Sequence, residues 1–258
     1  MRILQIGLVV VAGLLGILIG LVVRAPMPIS DPGGDPVETA YQLSDEEFTA
    51  RVRTALVTEP EILQEAIYVL ESRNRNNELN ELQDAITRNY SLIESAPASF
   101  VGGNPDGDIT IVEFFDYECG YCRRAMPAFD AMVAEDGNIR VIYFEMPILG
   151  ERSQNASLMA VAADRQGLYT EFHRAAMGAD ERLSQEVLMT IAVNIGLDMD
   201  QLRNDLADPE VAERVNANLN FAQAMQVSST PTFVVAGEVV LGWNEEQLAG
   251  QLATARGN

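Results

Sequence analysis

Ile109-Thr110-Ile111-Val112-Glu113-Phe114-Phe115-Asp116-Tyr117-Glu118-Cys119-Gly120-Tyr121-Cys122-Arg123-Arg124 is the stretch whose reading decides the fold. It begins as an apolar run of β type and ends in a turn that holds the only two cysteines of the chain. Beyond them Ala125, Met126, Phe129, Met132 and Val133 recur at helical spacing. The pattern is a strand delivering a C-x-x-C to the start of a helix. There the first sulfur faces unpaired N–H groups and the positive end of the helix dipole, which favour thiolate over thiol. Arg123 and Arg124 are expected to add positive charge nearby. A thiolate attacks disulfides, and a second cysteine three residues on can resolve the mixed disulfide.

Two other uses of C-x-x-C compete with redox chemistry. A structural zinc site wants four ligands, and beside the cysteines the chain offers only a remote His173. A purely structural bridge would close a loop of four residues, worth only about 2 kcal/mol in chain entropy. Redox activity is the better reading. The metal expectation is none, and the redox cofactor is expected to be the Cys119–Cys122 disulfide itself. A copper-binding or metal-delivery role stays open as the alternative, because soft thiolates suit Cu(I).

Glu113-Phe114-Phe115 ahead of Cys119-Gly120-Tyr121-Cys122, with Ser229-Thr230-Pro231-Thr232-Phe233 far downstream, resembles the DsbA-like branch of the thioredoxin superfamily. The similarity covers about residues 100–258. The Gly120-Tyr121 dipeptide and the helical segment ahead of the domain look closest to ScsC-like (suppressor of copper sensitivity) exported disulfide proteins. The resemblance implies an α/β thioredoxin fold with an inserted helical subdomain, and a thiol:disulfide oxidoreductase. It implies Cys119 as nucleophile, Cys122 as resolver and Glu113 as a buried acid relaying protons to the inner thiol. Thr230 and Pro231, the latter after a cis bond, would form the substrate loop beside Gly120 and Tyr121. Burial among Ile, Val and Phe would raise the Glu113 pKa toward neutrality; the alternative is a glutamate at the strand edge facing water. His173 is given no role.

The 258 residues carry a net charge of −21 and a sequence pI near 4.3, and 48% are hydrophobic. So acidic a chain lacks the basic footprint that nucleic acid requires. It contains no lysine, which excludes Schiff-base chemistry and a phosphate-binding P-loop. Residues 3–23 form a 21-residue apolar run with Gln5 as its one polar side chain. As a helix it spans about 30 Å, the thickness of a bilayer core. Val23-Arg24-Ala25 is a tolerable cleavage site, but Pro26 follows at once. Residues 1–24 are therefore expected to be a retained transmembrane signal-anchor in the inner membrane, with the catalytic domain on the periplasmic side.

Residues 25–42 are rich in Pro, Gly and Asp and are expected to be a flexible linker. Residues 43–96 are expected to be helical, opened by a Ser44/Glu47 capping box. A polar break at 71–77 would divide two stripes, one through Ile62, Leu63, Ala66, Ile67 and Leu70, the other through Leu79, Leu82, Ile86, Tyr90 and Ile93. These stripes either fold back on the catalytic domain or pair with copies in a homo-oligomer. On the second option, removing everything before Phe100 should leave a monomer that keeps dithiol chemistry but loses most activity in refolding a scrambled multi-disulfide substrate. The first core strand is expected at Ile109 after a turn-rich boundary at 102–107, and the helical insertion at about 153–227. Expected partners are protein substrates with cysteines and a membrane redox partner. Oxidase and isomerase or reductase roles both remain open.

Overall fold

The computed structural model describes residues 43–96 and 99–257. The expected anchor (1–24) and linker (25–42) lie outside them. Among the described residues, no helix is long and apolar enough to cross a membrane.

The chain divides into two units after Ile67. In the first, α1 (Asp45–Thr58) starts where Ser44 Oγ accepts the Glu47 N–H at 3.2 Å, and Asp45, Glu46 and Glu47 complement the dipole of its first turn. None of its side chains is buried. Helix α2 (Glu61–Glu94) then runs for 34 residues without interruption, so the break at 71–77 does not exist. Polar side chains there describe a wet surface; they do not interrupt the backbone ladder, which Gly or Pro would have weakened. The two ends of α2 differ. Ile62, Leu63, Ile67 and Leu70 are exposed, whereas Leu82, Ala85, Ile86 and Ile93 are buried. Within the second unit, the later part of α2 folds back on the catalytic core.

In the second unit a five-stranded sheet has the order β1-β3-β2-β4-β5. Its strands are β1 (Phe100–Gly103), β2 (Ile109–Phe115), β3 (Ile139–Glu145), β4 (Thr232–Val235) and β5 (Glu238–Leu241). β2 and β3 are parallel and the other pairs antiparallel. β1 corrects the expectation that the core begins at Ile109. Its glycines look like turn signals in the sequence, yet Gly102 lies where a Cβ would come within 2.7 Å of the Tyr143 ring. There the missing side chain permits a close approach, not a turn.

Helix α3 (Gly120–Asp136) follows β2. Five helices lie between β3 and β4: α4 (Glu151–Arg165), α5 (Tyr169–Met177), α6 (Gln185–Asn194), α7 (Met199–Ala207) and α8 (Pro209–Ala224). Helix α9 (Glu245–Ala255) closes the chain. The sheet is covered on both faces, and the alternation along β2 assigns each side chain to one of them. Ile109, Ile111 and Phe115 join a core with Cys122, Phe129, Phe172 and Leu248. Val112 and Phe114 join Leu82, Ile86 and Ile93 of α2 with Ala222 of α8. Each large side chain that α2 buries there stabilises the docking by about 1.5–3 kcal/mol. Glu113 falls on the first face, the one that meets α3.

Candidate active site

β2 ends at Phe115, and the next three residues turn the chain into α3. Asp116 holds this turn. Its Oδ1 accepts the Glu118 N–H at 2.7 Å, while Oδ2 accepts those of Ile148 and Leu149 at 2.8 and 3.0 Å. Its carbonyl accepts the Cys119 N–H at 3.0 Å. Glu118 reaches outward to accept from Leu183 N at 2.8 Å and Arg152 Nε at 3.1 Å, tying the turn to the helical insertion.

Cys119 is the N-cap of α3: its Sγ accepts the Cys122 N–H at 3.4 Å. As a thiol it donates to Thr230 O at 3.3 Å. Its pKa is lowered to about 5, chiefly by the hydrogen bond from the Cys122 thiol, with the Thr230 side chain and the N–H groups of Cys122 and Tyr121 adding against a cost of burial. Cys122 is fully buried; burial, its hydrogen bond to Cys119 and the charges of Glu113 and Cys119 push its pKa far up. Both are free thiols. The same helix start thus presents one sulfur as thiolate and keeps its neighbour protonated.

The Thr230–Pro231 bond is cis. This loop is held by Thr232 Oγ1 donating to Ser229 O at 2.7 Å and by Gly242 N donating to Pro231 O at 2.9 Å. Gly120 and Tyr121 lie on the outer rim, Tyr121 70% exposed with the Arg124 guanidinium 4.6 Å from its ring centroid. Arg123 turns away from the sulfur and donates to the carbonyls of Met177 and Glu181, both at 3.2 Å. The two arginines therefore serve the rim and the insertion. The depression at Cys119 comes from hydrogen bonds at the helix start.

Glu113 is buried, which removes the water-facing alternative. Burial first, then the charges of Asp130 and Cys119, raise its pKa to about 8. It acts electrostatically on both sulfurs. Such a carboxyl is able to take a proton from a buried thiol near neutral pH and to return it.

Sequence reasoning missed a second buried acid. Glu145, ending β3, accepts from Tyr169 Oη at 3.0 Å, Tyr117 Oη at 3.2 Å and Ser157 Oγ at 2.7 Å. Burial raises its pKa to about 8 although the three hydroxyls pull the other way. His173 stands beside it, Nδ1 3.4 Å from Tyr117 Oη, held neutral by burial that lowers its pKa to about 3. Tyr117 lies two residues before Cys119, so this network braces the active-site turn from below. The signal was present: like Glu113 inside β2, Glu145 is an acid in a largely apolar strand, here at its end. Among the described residues, no three His, Cys, Asp or Glu side chains gather as a metal site.

Residues 110–253 match the family model of the DSBA-like thioredoxin domain. The chain belongs to that family. The DsbA-like domain is similar to a thioredoxin-like oxidoreductase from Silicibacter pomeroyi DSS-3, at 41% identity over 64% of this chain and 96% of that one, TM-score 0.61. Salmonella enterica Typhimurium BcfH shares the fold over 86% of this chain and 100% of its own, at 23% identity and TM-score 0.67. Among curated proteins it matches the Na(+)/H(+) antiporter NhaA 3 of Salinispora tropica, 32% identical over 158 residues. That match covers 60% of this chain but only 24% of the antiporter. The chain thus spans about a quarter of that relative's length. Thiol–disulfide oxidoreduction on an α/β thioredoxin-like fold is the activity and architecture of this domain.

Proposed function

We propose that the chain exchanges disulfides with cysteines of protein substrates on the outer side of the inner membrane, with Cys119 as the attacking sulfur, Cys122 as the resolving sulfur and Glu113 as the proton relay. The observation that carries the reading is the Cys119 sulfur, which caps α3 and touches Thr230 O with its pKa lowered to about 5. A stabilised thiolate favours the reduced enzyme, so the Cys119–Cys122 disulfide is a ready electron acceptor. That supports an oxidase. Cys119 attacks when the reduced enzyme meets a disulfide; in the oxidising direction the roles reverse. A substrate thiolate attacks Cys119, the internal disulfide breaks, and Cys122 leaves as thiolate and takes a proton from Glu113. A second substrate thiolate then attacks the substrate sulfur of the mixed disulfide and releases the Cys119 thiolate. Two substrate thiols are oxidised and one enzyme disulfide is reduced, to be restored by a membrane redox partner. The substrate chain would lie along Thr230–Pro231, with Gly120 and Tyr121 beneath it.

The test is refolding of a reduced multi-disulfide protein by the preoxidised chain. Cys119→Ser and Cys122→Ala should both abolish disulfide transfer, since neither can hold the internal disulfide, and Cys122→Ala should accumulate a mixed disulfide when it is given an already oxidised substrate. Unaltered transfer by Cys119→Ser would overturn the assignment. The anchor rests on the apolar run at 3–23, and fractionation of the full chain with and without those residues tests it. A second reading, an isomerase that holds misbridged substrates among several active sites, is favoured by the exposed apolar side chains of α1 and early α2. Metal delivery would rest on the two sulfurs alone.

A further inference from the structure

The last paired row of β2, β4 and β5 before the chain turns toward Cys119 is Phe114, Thr232 and Leu241. At that end of the sheet, on the face covered by α2, lies a cavity of about 350 Å³. Leu79, Leu82 and Leu241 give it apolar walls, Arg75 and Glu78 a charged rim, and Ser229 its edge toward the active site. Ser229 is bonded to Thr230, whose carbonyl stands 3.3 Å from Cys119 Sγ. The cavity wall therefore begins one residue from the atom that touches the attacking sulfur.

Its size and lining select an occupant. A volume of about 350 Å³ sits at the small end of ligand sites and admits a side chain or two rather than a folded partner. Leu79 and Leu241 are 36% and 46% exposed, so apolar surface is available to a visitor. A substrate bonded to Cys119 must pass Thr230, and an extended chain advances about 3.3 Å per residue. Residues two to four positions from its cysteine then lie over Ser229 and the cavity.

The wall is also fixed. Gln83 Nε2 donates to Gly237 O at 2.7 Å, and Val239 N donates to Gln83 Oε1 at 2.8 Å, pinning α2 to the β4–β5 hairpin. These α2 residues lie outside the family match at 110–253. This wall is thus added to the DsbA-like domain by the helix ahead of it.

We propose that the cavity is a specificity subsite for protein substrates, taking an apolar side chain two to four residues from the reactive cysteine. The proposal rests on the reading that Cys119 forms a mixed disulfide with protein substrates. It is tested with the full chain, reduced, and peptides whose single cysteine is in mixed disulfide with glutathione. One position at a time, on either side of that cysteine, carries Leu or Asp. Wild type should react about tenfold faster with Leu than with Asp at two to four residues on one side only, a discrimination of the size apolar pockets achieve. In Leu79→Gln, and independently in Leu241→Gln, which remove the apolar wall without adding a charge that would repel the Asp peptide, this ratio should fall toward one. Because it is taken within each variant, a partial loss of folded protein cancels.

Equal rates for Leu and Asp peptides in wild type, or a preference that both variants keep, would overturn the subsite while leaving the disulfide chemistry standing. A preference that changes with protein concentration would assign the cavity to a second copy of this chain and overturn it equally. Failure to react even with glutathione disulfide would bring down the underlying functional reading, and the subsite with it.

Discussion

Cys119 and Cys122 sit three residues apart in one helical turn and yet ionise in opposite directions. Iodoacetamide should therefore alkylate Cys119 with a midpoint near pH 5 and leave Cys122 protected below pH 9. Mass mapping of the labelled thiols decides this. The two buried acids make the reduced protein pH-sensitive in a calculable direction. Glu113 and Glu145 ionise near 4.5 ordinarily but at about 8 when folded. Between those values the folded chain holds protons that the unfolded chain has released, so stability falls as pH rises, by about 1.4 kcal/mol per pH unit for each group. Cys119 opposes them: it is a thiolate when folded from about pH 5, a thiol when unfolded up to about 9. Urea unfolding between pH 5 and 8 should thus show a shallower decline in Glu145→Gln and a steeper one in Cys119→Ser. Identical slopes in all three proteins would mean that neither group titrates as its burial dictates. Cys119, Cys122 and Glu113 were legible in the sequence because strand, turn and helix lie within one short stretch. The Glu145 network was not, because Tyr117, Ser157, Tyr169 and His173 come from a turn and two helices that only the fold assembles.

At the scale of elements, α2 shows why composition misleads about backbone. Its middle is polar because it is wet, and the helix continues through it. Its two ends are similarly apolar in sequence but differ in burial, since the later residues meet the sheet. Ile86→Ala should accordingly cost about 2–5 kcal/mol, as a cavity in a core. Ile62→Ala in the monomer should stay within about 0.5 kcal/mol, as a surface change. Denaturant midpoints at low protein concentration separate the two. β1 hides in the sequence for a related reason: glycine marks missing side chains, and here the Tyr143 ring occupies the space. Gly102→Ala should therefore lower the thermal midpoint although no turn is altered.

For the molecule as a whole, the packing of α2 changes which truncation is informative. Cutting before Phe100 would uncover Val112, Phe114 and Ile142, which α2 helps to bury. A cut before Tyr68 keeps that core and removes α1 and the early turns of α2. If the exposed Phe48, Val52, Leu56, Ile62 and Ile67 pair copies of the chain, residues 43–258 should sediment as an oligomer at tens of micromolar and residues 68–258 as a monomer. Equal sedimentation of both would return these helices to a monomeric oxidase. Gln83 carries a last consequence. β5 is the edge of the sheet, and such an edge is a template to which an extended segment of another chain can add as an extra strand. By occupying Gly237 O and Val239 N, the Gln83 amide blunts the start of that template. If the cavity receives substrates as proposed, the helix that walls it would thereby also keep those substrates from pairing with the edge of the sheet.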